Sequence, residues 1–254
     1  MTALLAAPLD RLVLAGFLVF CRVGTCLMLM PGISSGRIPL QIRLFLAFAA
    51  SLALLPAVSG TVLPATHGAN AGAYLALIGS EVLVGGLIGL LGRIYFWALQ
   101  FIASASSTML GFGGVPSVGI EGSEADTAFA DLINMSALFL FFVSDLHLQV
   151  VRALAASYQA IPMAGFVPGR ALVNITDTLS SAFLATLRIG GPFVVYAIVV
   201  NIAIGLINKL TPQIPVYFIS LPFVLAGGLA LAWLVLPDFL HLFDDELAAF
   251  LRSI

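Results

Sequence analysis

Apolar runs long enough to cross a membrane follow one another from Leu9 to Leu236, and most of them carry a lone charge. A spanning helix needs about 20 largely apolar residues. Residues 9–30 form the first run, with Arg22 inside it, and residues 38–58 the second, with Arg43. The run over 73–113 has about twice the length of a normal span and contains Glu81 and Arg93. Residues 128–143, 148–166, 179–207 and 216–236 continue the pattern, with Asp131, Arg152 and Arg188 among them. The pattern predicts an all-α membrane protein with about six to eight apolar segments. The edges are untidy, because several pieces are short or closely joined.

Composition closes off the soluble alternative. Hydrophobic residues make up 61% of the chain and charged residues 9%, whereas a soluble domain carries about a quarter charged residues. Such a surface must face lipid or other apolar protein. Ten basic and twelve acidic residues give a net charge of −2 without a basic run, so nucleic-acid binding has no electrostatic basis. Basic residues are too few, and too often inside apolar runs, to set an orientation. Cys21 and Cys26 read as small packing residues, since neither spacing nor neighbours suit a metal. No basic region precedes the first run and no cleavage site follows it, so that run is expected to be a retained helix. The whole of 1–254 is read as a single membrane domain.

The lone charges are the informative positions. A charge at mid-bilayer costs roughly 2.5–3.5 kcal/mol. Seven of them (Arg22, Arg43, Glu81, Arg93, Asp131, Arg152 and Arg188) facing lipid would cost on the order of 20 kcal/mol, more than the net stability of a domain. They must be paired, face water, or stand outside the lipid core. At about 100° per residue, Glu81, Gly85, Gly89 and Gly92 share one helical face. Glycines there let a second helix approach closely, so Glu81 is expected beside a protein neighbour in an interhelical bond. A proton- or ion-carrying role and a water-facing position are the alternatives. Ala197, Asn201, Gly205 and Asn208 form a second stripe of the same kind.

Prolines at 162, 192, 212, 215 and 222 each remove a backbone donor and are expected to bend or end helices. Asp145 and His147 are expected in a capping or loop role, with a proton relay as the alternative. From Pro237 the tail reads as one amphipathic helix over 237–254, with Phe239, Phe243, Leu247, Phe250 and Ile254 opposite Asp244, Asp245 and Glu246. Its acidic polar face suits a protein partner better than a lipid surface. No phosphate loop, His-Glu-x-x-His or nucleophile elbow occurs, so no enzyme activity, metal or cofactor is expected.

Taken in order, these segments resemble the FliR family, whose injectisome relatives serve the same kind of secretion apparatus. The resemblance runs through Phe20-Cys21-Arg22-Val23-Gly24, Met30-Pro31-Gly32, Arg37-Ile38-Pro39 and Arg43. It continues in Glu81 with Gly85 and Gly89, Arg93, Met109-Leu110-Gly111-Phe112, His147, Ala156-Ser157-Tyr158 and Ile161-Pro162. Its most specific block is Leu187-Arg188, Pro192 and the stretch from Asn201 to Gln213, completed by Phe218, Pro222 and Gly228.

The resemblance implies a non-enzymatic, cofactor-free subunit of the flagellar type III protein-export gate in the bacterial inner membrane, within the basal body. It implies bent helical hairpins packed into a helical assembly with FliP and FliQ, next to FlhB and FlhA, around a channel for unfolded substrates. It implies that Arg22, Arg93 and Arg188 are charges buried among protein. It also implies a pore plug, which maps to Gly111, Phe112, Gly113, Gly114 and Val115. Two departures stand out: Gly119-Ile120-Glu121-Gly122 replaces the family's usual Asp-Pro after the turn, and Leu146 replaces the glycine before His147. The alternatives are an injectisome subunit of the same family, a stand-alone secondary transporter, and a passive scaffold.

Overall fold

A computed structural model describes residues 8–34, 38–67, 70–112 and 127–253. The described elements are helices: α1 (Leu9–Leu29), α2 (Leu40–Ala65), α3 (Ala71–Met109), α4 (Ala128–Val143), α5 (Leu146–Ala160), α6 (Pro168–Leu210) and α7 (Val216–Ser253). Five of them are long and apolar enough to cross a membrane. The count rises to six if α4 and α5, bent by 63° at their junction, form one span. The protein is an all-α membrane protein. The span count of five falls below the expected six to eight, and reaches six only with α4 and α5 as one span. This is in part because the double-length run is one continuous helix of 39 residues. Residues 168–210 likewise form one helix of 43.

Proline placement explains six of the fourteen described helix ends. Pro8 and Pro39 stand at the caps of α1 and α2, and Pro168 opens α6, where a missing N–H costs nothing. Pro162, Pro212 and Pro215 lie in the breaks between helices. Pro192 and Pro222 do not end their helices: each stands inside a continuous one. Asp145 turns the chain between α4 and α5 with a left-handed φ of 57°, a conformation that aspartate tolerates better than most residues.

The chain divides into two compact units. The first comprises residues 1–94, 145–180 and 248–254. Here α1 and α2 form an antiparallel hairpin, with Phe20 edge-on to Phe48 at 6.4 Å and Gly24 against Ala47. Helix α1 buries Ala15, Leu18, Val19, Arg22 and Cys26, the i, i+3, i+4, i+7 stripe of a packed helix. Hydroxyls on α2 are satisfied within the helix, as in Ser51 Oγ donating to the carbonyl of Ala47 at 2.6 Å, which removes the cost of carrying them among apolar groups.

The second unit comprises residues 95–144 and 181–247. Its core is aromatic: Phe96 packs edge-on to Phe141 (5.8 Å) and Phe243 (5.4 Å), and Phe129 reaches Phe239 through Phe193. Within it α6 and α7 are joined by Tyr196 donating to the carbonyl of Val224 at 2.8 Å. The tail is no separate helix, since α7 runs on through Pro237. Phe239, Phe243 and Leu247 are buried while Asp245 is exposed, so the tail has one apolar and one polar face. Only 11% of the most apolar window of α7 is buried within the chain, and Trp233 and Phe223 are almost bare. That surface belongs to lipid or to other apolar protein.

Candidate functional site

In the first unit, Arg22 of α1 and Glu81 of α3 form a two-pronged ion pair, both fully buried. Nε donates to Oε2 at 2.7 Å and Nη2 to Oε1 at 2.8 Å. Nη1 donates to Ser157 Oγ on α5 at 3.0 Å, and Nη2 also donates to the carbonyl of Ile161 at 3.2 Å. The guanidinium lies 4.0 Å over the ring of Tyr158. Four of the five guanidinium donors are thereby used. Ile161 caps the end of α5, where a helix leaves carbonyls without internal partners. One arginine thus ties three helices together and satisfies a helix end.

The glycines explain how two backbones come close enough for this pair. A Cβ on Gly85 would press into the carbonyl of Arg22 and the Thr25 hydroxyl, and one on Gly89 would stand 2.6 Å from the carbonyl of Cys26. Gly92 differs: beyond its own helical turn, no described atom lies within 4 Å of a Cβ added there. The contact ends there because α1 stops at Leu29, already opposite Gly89. Gly85→Ala is therefore expected to lower the chain's stability in detergent by about 1–3 kcal/mol or more. Gly92→Ala should leave it within about 0.5 kcal/mol. Thermal unfolding of the two variants side by side checks both.

In the second unit, α3 ends in a turn whose root is well defined. Gly111 adopts a left-handed φ of 89°, which favours glycine. Phe112, half-buried, stacks on Phe129 of α4 at 5.4 Å with the rings 8° from parallel. Thr127 accepts from the backbone N–H of Ala130 at 3.3 Å, and its hydroxyl donates to Ser107 of α3. The two strands of chain leaving α3 and entering α4 are thus fastened together at their base. Gly113, Gly114 and Val115 lie outside the described residues.

The remaining expected positions fall elsewhere. Asn201, Gly205 and Asn208 are exposed on α6, and Asn201 donates to the carbonyl of Ala197 in its own helix at 2.8 Å. No other part of the described chain approaches Gly205 within 4 Å of an added Cβ. Arg93 is half-buried and has a partner. Arg188, expected as a buried charge, is exposed on this chain, because it projects away from the face that buries Ala182, Thr186 and Phe193.

The sequence reading missed Ser157, Tyr158 and Ile161 as partners of Arg22, and the Thr127–Ser107 clasp. A Ser-Tyr pair one turn before a proline, on an otherwise apolar helix, was the available signal for the first.

The family described as bacterial export proteins, family 1, matches residues 13–250. The chain belongs to this family. This export protein is 33% identical over 234 residues to the flagellar biosynthetic protein FliR of Caulobacter vibrioides, covering 90% of this chain and 91% of that one. It is 24% identical to FliR of Escherichia coli K12, covering 88% and 86%. To the Yop proteins translocation protein T of Yersinia pestis it is 23% identical, covering 86% and 84%. The export protein therefore shares its near-complete length with both flagellar and secretion-system relatives.

Proposed function

We propose that this export protein is a subunit of the flagellar type III protein-export gate in the bacterial inner membrane. With FliP and FliQ, and beside FlhB and FlhA, it forms the channel through which unfolded substrates leave the cell. The observation that carries this reading is the 33% identity to a flagellar FliR over nine-tenths of both chains, against 23% to the Yersinia relative. The bare apolar faces of α6 and α7 support it, because they suit a chain that is completed by neighbours.

In this reading the turn after α3 is the plug. Residues 111–115 close the channel at rest, and the Phe112–Phe129 stack is the root from which the loop hangs. The Arg22–Glu81 cluster and the Gly85–Gly89 contact hold the subunit's own helices in register. Asn201, Gly205 and Asn208 are left for contact with a neighbouring subunit.

Deleting the gene in its native bacterium tests the assignment. Loss of flagellar filaments and of exported flagellar subunits from the medium is expected, restored by a tagged copy that co-purifies with FliP and FliQ. Normal flagella with lost injectisome secretion would move the chain to the injectisome. Solute uptake by the purified chain alone in vesicles would make it a transporter instead.

A further inference from the structure

Arg188 is exposed on α6 and makes no ion pair or hydrogen bond among the described residues. It stands five residues, about 7–8 Å, from the midpoint of the apolar run 179–207, against a hydrocarbon half-thickness of about 15 Å. Snorkelling along the arginine stem recovers only part of that depth. At about 100° per residue, Val195, Val199, Ile202 and Leu206 fall within about 40° of the direction of Arg188. These four aliphatic side chains are all close to 60% exposed. The face that buries Ala182, Thr186 and Phe193 lies about 140° away.

A second polar group stands at the same place. Pro192 is inside α6, and it withholds the N–H that in a regular helix would reach the carbonyl of the residue four positions earlier, which is Arg188. One residue at the head of the aliphatic ridge thus presents both a cation and a carbonyl short of its helical donor. Acyl chains satisfy neither. Water would satisfy both but would not suit the bare aliphatic ridge that continues for several turns. A protein helix with one acidic side chain for the cation, and an N–H or O–H donor beside it for the carbonyl, suits all of it.

We infer that this ridge seats a transmembrane helix of a partner subunit carrying a carboxylate at the depth of Arg188. The inference rests on the gate reading above, because it needs a hetero-oligomer. It deepens that reading by naming the contact face and the chemistry that recognises it.

The test uses the full chain expressed with its native gate subunits. Arg188→Leu, Arg188→Glu and Arg188→Lys are compared for the fraction of the chain recovered in the detergent-extracted complex, and for the melting of the chain purified alone. Leucine and glutamate should lower recovery by about tenfold or more, lysine should retain most of it, and lone-chain melting should not move. Undiminished recovery of Arg188→Leu overturns the inference, since the arginine then needs no partner. Equal losses in the lone chain also overturn it, placing the carboxylate within this chain. A wild-type chain that co-extracts with none of the other gate subunits would sink the gate reading itself.

Discussion

Glu81→Leu is expected to remove most of the chain from the membrane and to destabilise what remains by about 3–5 kcal/mol. The side chain is fully buried, and its two oxygens take the Nε and Nη2 donors of an equally buried Arg22. Leucine leaves that guanidinium charged, enclosed and without a counter-ion. Its other bonds, to Ser157 and the carbonyl of Ile161, carry no compensating charge. The loss is that of an uncompensated buried charge rather than of one contact, which is why removing both partners should cost less. The double variant Arg22→Met with Glu81→Leu is expected to recover much of the stability. Membrane abundance and unfolding in detergent measure this. A single variant with normal abundance and stability that has lost only export would show that Glu81 carries protons or ions instead.

Deleting residues 111–115 should raise the leak of ions and small molecules through the assembled complex by about tenfold or more, as expected when a pore loses its constriction. The deletion removes the left-handed Gly111 and the Phe112 ring that stacks on Phe129. It leaves the Thr127–Ser107 clasp in place, so α3 and α4 stay joined and the subunit still assembles. Phe112→Ala keeps the loop's length while losing the stack, and a smaller leak is expected from it. Conductance of purified complexes in planar bilayers reports both. An intact seal in a complex verified to contain the shortened chain would remove the plug from these residues.

The helical faces were legible in the sequence because their periodicities are local. The face shared by Glu81, Gly85 and Gly89 follows from 3.6 residues per turn, and a close helix neighbour follows from the glycines. Which helix it is was not legible, since Arg22 and Glu81 stand 59 positions apart and nothing local links them. Gly92 keeps the spacing but loses the contact, because the end of α1 is a property of a different segment. Pro192 and Pro222 were expected to bend or end helices, and they do not end them: long helices carry such defects while the bonds around them hold. Arg188 shows the converse. Its place in an apolar run was plain, but whether it points inward depends on which face of α6 the rest of the chain covers.

In the proposed gate, charges set among apolar helices are enclosed by protein, partly this chain and partly its companions, and not by acyl tails. The lifetime of the unaltered chain in native membranes, followed after synthesis is stopped, tests it most directly. With the other gate subunits present the chain should persist, and without them it should be cleared several-fold faster or aggregate. A lone chain that stays folded, monomeric and equally long-lived in the bilayer would contradict it.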